Sequence, residues 1–154
     1  MPPAGPSIRR ATPDDAGLLL PLVEDYWRFE ELAGFDTARI GRELRRMLAE
    51  PRLGTGWLAE AGGRAVAYLL AVYVFSLEHR GMTAEIDELY VLPSARSGGV
   101  GARLLAAAEA EFAAAGCTNV SLPLGRANDG GRNFYCRHGY RPRAGFELLE
   151  KDIK

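Results

Sequence analysis

The chain has little with which to bind a metal or close a disulfide. It carries two cysteines and two histidines in 154 residues. Cys117 and Cys136 show no metal-ligand spacing, so no metal site is expected. Both are expected to be reduced thiols in a cytoplasmic protein. Nor is there an excess of charge of either sign: 19 Lys and Arg against 20 Asp and Glu give a formal net charge of -1. Nothing general therefore draws the chain to nucleic acid, and no nucleic-acid partner is expected. Long hydrophobic runs are missing too. Leu18-Leu19-Leu20-Pro21-Leu22-Val23 is far too short to span a bilayer, so no membrane partner is expected. The opening Met1-Pro2-Pro3-Ala4-Gly5-Pro6 is too proline-rich for a helix and has no apolar core for a signal peptide. Residues 1–6 are expected to form a disordered tail. Internal repeats and an interdomain linker are also absent.

What is present fits one globular domain over residues 7–154, with 47% hydrophobic and 25% charged residues. Ile8–Thr12 reads as a first strand. Thr12-Pro13-Asp14-Asp15 reads as a helix start, with a capping hydroxyl, an early proline and acids at the positive end of the dipole. Leu18, Leu19, Leu22, Val23 and Tyr26 follow at helical spacing. After Gly34, Asp36 or Thr37 caps a second helix whose apolar stripe is Ile40, Leu44, Met47 and Leu48. Gly56–Glu60 and Ala65–Phe75 read as a hairpin turning at Ala61–Arg64. The second of these strands is almost wholly apolar, which predicts a central strand covered on both faces. Ala84–Leu92 reads as the next strand and Arg103–Ala115 as a long helix. Asn119–Leu124 reads as a strand with Pro123 inside it, the mark of an edge or a bulge. Asp129–Arg137 reads as a helix and Phe146–Lys151 as a closing strand.

Between the Glu85 strand and the long helix lies Arg96-Ser97-Gly98-Gly99-Val100-Gly101-Ala102. A strand, a glycine-rich turn and a helix N-terminus make a place for a phosphate. The first helical N–H groups have no partner inside the helix, and the dipole concentrates positive charge there. Glycine lets the backbone come close to a bulky anion and adopt positive φ. Arg96 adds a cation suited to phosphate. A P-loop is excluded because Gly101-Ala102-Arg103 does not supply Gly-Lys-Ser/Thr. A dinucleotide fingerprint is excluded because Leu104 stands where its third glycine belongs.

What fits is Arg-x-x-Gly-x-Gly, which resembles the pyrophosphate loop of the GCN5-related N-acetyltransferases (GNAT family). A second segment, Asn128 to Tyr140, is similar to that family's Asn-x-x-Ala-x-x-Phe-Tyr-x-x-x-Gly-Phe signature. It departs at Gly131, where Ala is usual, and conservatively at Tyr140. Tyr90-Val91-Leu92-Pro93 resembles the end of the family's fourth strand. The resemblance covers Glu85 to Tyr140 by motif and the first half by order of elements. It implies an α/β (α+β) fold: a mixed, mostly antiparallel sheet of six to seven strands, splayed between strands 4 and 5 and flanked by four helices. It also implies acetyl-CoA as cofactor, an amine acceptor and N-acetyltransferase activity.

The resemblance assigns roles residue by residue. Backbone groups of Leu89, Tyr90 and Val91 pair with the pantetheine arm, and one N–H polarises the thioester carbonyl. Arg96, Ser97, Gly98, Gly99, Val100, Gly101 and Ala102 hold the pyrophosphate. Asn128 touches the CoA arm or caps its helix, or does both. Tyr135 matches the tyrosine that protonates the leaving thiolate and contacts the cofactor. The base is open among the acids of one strand. Glu85 matches the glutamate of the histone-acetyltransferase branch and stands first, Asp87 second. Asp87-Glu88 matches an acidic pair in small polyamine-type enzymes. Strict alternation puts Glu85 and Asp87 on one face and Glu88 on the other, unless the family's bulge resets that parity. Substrate contacts are expected from Tyr26, Trp27, Glu30, Tyr73 and Glu88, since aromatics with acids suit a cationic amine; for Trp27 and Phe29 a core role is the simpler reading. The acceptor is then a small cationic, polyamine-like amine or a lysine side chain. A non-catalytic acetyl-CoA-binding module and an N-terminal acetyltransferase are the alternatives. A homodimer follows by analogy only.

Overall fold

The computed structural model describes residues 4–154. Residues 1–3 of the expected 1–6 tail lie outside the described residues. By Pro6 the chain is already tied down, since its carbonyl accepts a bond from Arg103 Nη1 at 2.7 Å. The chain divides into two compact units, one ending at Leu122 and the other running from Pro123 to Lys154.

The first unit is built on strands β1 (Ser7–Arg10), β2 (Thr55–Ala61), β3 (Arg64–Ser76), β4 (Gly81–Val91) and β5 (Val120–Ser121), in the sheet order β1-β2-β3-β4-β5. The first four pair antiparallel, and β5 joins β4 in parallel. Three helices accompany them: α1 (Ala16–Phe29), α2 (Thr37–Ala49) and α3 (Val100–Ala114). The apolar β3 is central, as its composition predicts. Its Tyr68 and Leu70 pack with Leu19, Leu22 and Val23 of α1 and Leu44 of α2. On the opposite face, Phe112 of α3 meets Trp57 and Tyr73 edge-on at 5.8 and 6.1 Å. Phe112 is 1% exposed, so truncating it to alanine costs about 3–5 kcal/mol.

Local chemistry sets the helix starts. The Asp15 carboxylate accepts the Thr12 N–H at 2.7 Å and two Arg9 guanidinium bonds at 2.7 and 2.8 Å. Those Arg9 bonds hold the Asp15 carboxyl low, at about 2. Asp36 caps α2 by accepting the Arg39 N–H at 2.9 Å.

The second unit carries α4 (Asp129–Arg137). The mixed α+β fold is as expected, and only the strand number differs: among the described residues the sheet has five strands rather than six or seven. The expected strand Asn119–Leu124 is reduced to the two residues of β5. Pro123 has no N–H to extend that ladder. Phe146–Lys151, expected as a closing strand, forms no strand. Among the described residues no helix is long and apolar enough to cross a membrane.

Candidate active site

β4 does two things that the rest of the sheet does not. First, its pairing with β5 stops early. Ala84 lies beside Val120 and Glu85 beside Ser121. From Ile86 to Val91, among the described residues, only β3 pairs with β4. Leu89, Tyr90 and Val91 lie along this open edge, where the Val91 carbonyl accepts from Arg96. A pantetheine arm could add there as an extra strand would.

Second, β4 contains a bulge. Leu70 lies opposite Glu88 while the next residue of β3, Ala71, lies opposite Ile86. Asp87 is the extra residue, and it resets the parity of everything after it. Residues directly opposite one another share a face. Glu85, opposite Val72, and Glu88, opposite Leu70, therefore share the face that α1 and α2 cover. Strict alternation would have separated them.

The three acids differ in their surroundings. Glu85 is half-buried beside the β5 pairing. Asp87 keeps solvent contact at the bulge, and the protein packed around it raises its pKa. Glu88 is half-buried, and its Oε1 accepts the Tyr68 hydroxyl at 2.8 Å. Burial pushes the Glu88 carboxyl up to about 7, the Tyr68 bond opposing and the Asp87 charge reinforcing the rise. Tyr68 is itself fully buried, and its own pKa is driven up by that burial and by Glu88. Nothing in the spacing of Tyr68 and Glu88 marks them as partners.

The glycine loop has the form of an anion cradle. Ser97 and Gly99 both have positive φ, 68° and 75°. Gly99 sits at the N-cap of α3 with no side-chain cap bond. A Cβ built on Gly99 would meet nothing within 4 Å. The N–H groups of Val100, Gly101 and Ala102 follow in the first helical turn, where intrahelical partners are lacking. The loop has the chemistry to take a pyrophosphate, and the β4 edge that to take an amide-bearing arm.

Arg96 is engaged elsewhere. Its Nε donates to the Val91 carbonyl at 2.9 Å, and its guanidinium lies over Phe29 and Tyr90 at 5.7 and 5.6 Å. Its cation is thus stacked on rings at the end of α1 and on β4. Around the same point, Tyr26 meets Tyr90 edge-on at 6.3 Å, and Glu30 caps the end of α1. Phe29 is 50% exposed there, so it is not a core residue. Trp27 packs edge-on to Phe35 at 5.3 Å, against the core. Tyr73 lies against Phe112 on the α3 face. The sheet thereby separates it from Glu88, with which the sequence reading had grouped it.

Asn128 and Tyr135 belong to the second unit. Asn128 Oδ1 accepts the Gly131 N–H at 2.8 Å and caps α4. A Cβ on Gly131 would come within 2.6 Å of Asn128 Nδ2, so glycine at this position leaves room for the cap. The Tyr135 ring is half-buried between Phe134 and Tyr140, at 5.1 and 5.4 Å.

Comparison with known proteins agrees with this geometry. Residues 19–140 match the model of the Acetyltransferase (GNAT) family. An uncharacterized N-acetyltransferase of Archaeoglobus fulgidus is 33% identical over 142 residues, covering 90% of this chain and 95% of its own. An aminoalkylphosphonate N-acetyltransferase of Salmonella typhimurium is 36% identical over 84 residues, 54% of either protein. The crystal structure of a possible acetyltransferase from Clostridium difficile superposes with a TM-score of 0.84 at 16% identity, over 98% of this chain and 99% of that one. With this match over most of its length, the chain belongs to the GNAT family of acetyltransferases.

Proposed function

We propose that the protein transfers acetyl from acetyl-CoA to a primary amine by direct attack within a ternary complex, and that Glu88 is the base. The observation that carries the assignment is the Glu88 carboxylate itself. It is desolvated, held by a buried tyrosine, and one residue from the free Leu89–Val91 edge. A lysine-like amine has a pKa of ~10.4, so its neutral form at pH 7 costs about 4.6 kcal/mol. A base whose pKa lies near the working pH takes that proton efficiently, directly or through one water, and contributes ~10²- to 10⁴-fold. Glu88 at about 7 meets the condition. This places Glu88 ahead of Glu85 and Asp87, which remain on hand as charges that attract a cation.

Acetyl-CoA supplies the activated thioester. The Ser97–Ala102 backbone holds its pyrophosphate, and Leu89, Tyr90 and Val91 align the arm, with an N–H on the carbonyl oxygen. Tyr135 is assigned as the proton donor to the departing thiolate on the strength of the α4 signature. Holding both reactants in line supplies much of the remaining acceleration. The acids Glu85, Asp87, Glu88 and Glu30, with the rings of Tyr26 and Phe29, support a small cationic amine as acceptor. The aminoalkylphosphonate relative is consistent with an acceptor of that size.

The test is release of CoA thiol from acetyl-CoA against polyamines, aminoglycosides, aminoalkylphosphonates, amino acids, a lysine peptide and peptide N-termini. Turnover on small cationic amines is expected, slowed at least ~10²-fold by Glu88→Gln and at least about tenfold by Tyr135→Phe. Acetyl-CoA binding without turnover on any amine would overturn the reading and leave a cofactor-binding module. Turnover restricted to peptide N-termini would overturn the acceptor class alone.

A further inference from the structure

We propose that Tyr68 is a positioning residue for the reaction: its buried hydroxyl fixes Glu88 Oε1 and leaves Oε2 as the atom that accepts the proton. The inference rests on the reading of Glu88 as base. Tyr68 lies opposite Tyr90, and Leu70 lies opposite Glu88, so Tyr68 and Glu88 are diagonal neighbours on one face. A long side chain spans that diagonal. The contact depends on the bulge at Asp87. If Asp87 were paired in a regular ladder instead of bulged out, Glu88 would point to the α3 face, and the two groups would lie on opposite sides of the sheet.

The hydroxyl has one proton to donate, and Glu88 takes it at 2.8 Å. Tyr68 is 0% exposed, so its ring cannot swing away without opening the core. A carboxylate on a two-bond stem is otherwise free to rotate. Anchoring one oxygen restricts the other to a narrow set of positions beside the Leu89–Val91 edge. Orientation of this kind acts on kcat and leaves acetyl-CoA binding alone. The titratable groups around the pair are Tyr26 from α1, Tyr68 from β3, and Glu85, Asp87 and Tyr90 from β4. The Tyr68 bond favours the ionised form of Glu88, and the Asp87 charge opposes it. Removing the hydroxyl therefore moves the Glu88 titration to higher pH.

The experiment is a cycle of Tyr68→Phe, Glu88→Gln and the double variant, each with a pH–rate profile and the KM for acetyl-CoA. Tyr68→Phe is expected to lower kcat at pH 7 about tenfold to hundredfold, the loss that follows from removing a hydrogen bond to a charged group. It should carry the acidic limb upward by about one pH unit, with the acetyl-CoA KM unchanged. On the Glu88→Gln background the same change should alter the rate less than about twofold. If Glu88→Gln slows turnover while Tyr68→Phe leaves the limb and kcat in place, Tyr68 only fills the core and the proposal is overturned. Full turnover in Glu88→Gln would instead remove the base assignment itself. A readout that needs no Tyr68 variant uses ¹³Cζ-labelled tyrosine in the wild-type protein. The Tyr68 resonance should titrate near pH 7, and should be flat in Glu88→Gln; a resonance blind to Glu88 ionisation in the wild type overturns the proposal.

Discussion

Glu88→Gln should make the protein more stable and less active, and the two effects should have the same pH origin. In the folded chain Glu88 ionises at about 7 against an ordinary 4.5. Between those values the unfolded chain has already released a proton that the folded chain still holds. Wild-type stability therefore falls as pH rises from about 4.5 to 7 and is level above that. At 1.36 kcal/mol per tenfold, the buried anion costs about 3 kcal/mol at pH 8. Gln has nearly the same shape and keeps an oxygen for the Tyr68 hydroxyl, but carries no charge. The gain is the anion cost less the desolvation of an amide, on the order of 1–3 kcal/mol. In a chain of this length each kcal/mol moves Tm by roughly 2–4 °C. Thermal melts at pH 8 should show the variant several degrees above wild type. About one unit below the ordinary value, near pH ~3.5, where Glu88 is protonated in both states, the difference should close. Over the same range the variant should lose the acidic limb of its pH–rate profile and at least ~10²-fold in kcat/KM. Equal melting temperatures at pH 8, or a gap that does not change with pH, would mean the carboxylate is not desolvated, and the argument for it as base would fall with that result.

Three further outcomes follow from single sites. Gly99→Ala places a Cβ on a residue with φ 75° and nothing within 4 Å; strain of about 1–2 kcal/mol and a methyl in the anion cradle should weaken CoA at least ~10-fold by calorimetric titration, and unchanged affinity would displace the pyrophosphate from this loop. Asp15→Asn removes a carboxyl held at about 2 by Arg9; because the lowered pKa stabilises the fold only above the ordinary carboxylate range, the loss should be about 2 kcal/mol at neutral pH and vanish as pH falls through about 2, read by denaturant unfolding. Gly54→Ala would put a Cβ 2.5 Å from the Ala71 carbonyl oxygen and 2.5 Å from Met47 Cε; the carbonyl belongs to the central strand and cannot yield, so unfolding should lose about 1–3 kcal/mol, and a neutral result would mean that α2 sits further from the sheet.

What the sequence made legible was local. The loop after β4 could be read because turn, glycine and helix start are contiguous, and each demands a residue type. Asp36 and Asn128 could be read as caps for the same reason, and both accept the N–H three residues on. The centrality of β3 followed from its composition. What could not be read depends on which strands face which. Tyr73 and Glu88 look alike as candidates, yet the register puts them on opposite faces. Trp27 and Phe29 are two residues apart on one helix. Trp27 found Phe35, and Phe29 was left at the surface under Arg96. The expected closing segment had the composition of a strand, yet it forms none.

The bulge at Asp87 shows why the base was the hardest residue to assign. A strand with three acids in four positions offers each of them to one face or the other by strict alternation, and that rule selects Glu85 with Asp87. One unpaired residue reverses the rule for every later position. It brings Glu88 to the face of Glu85 and onto the hydroxyl of Tyr68, twenty residues away. Leu89, Tyr90 and Val91 follow directly, past the end of the β5 pairing at Glu85, on the edge that remains open. The carboxylate and the strand edge are thus side by side. Deleting Asp87 should remove the bulge yet leave Glu88 two positions after Glu85, on the same face and opposite Leu70. The variant should therefore keep the Tyr68–Glu88 bond and its acidic limb in the pH–rate profile, and loss of that limb would mean that the strand re-pairs in another register.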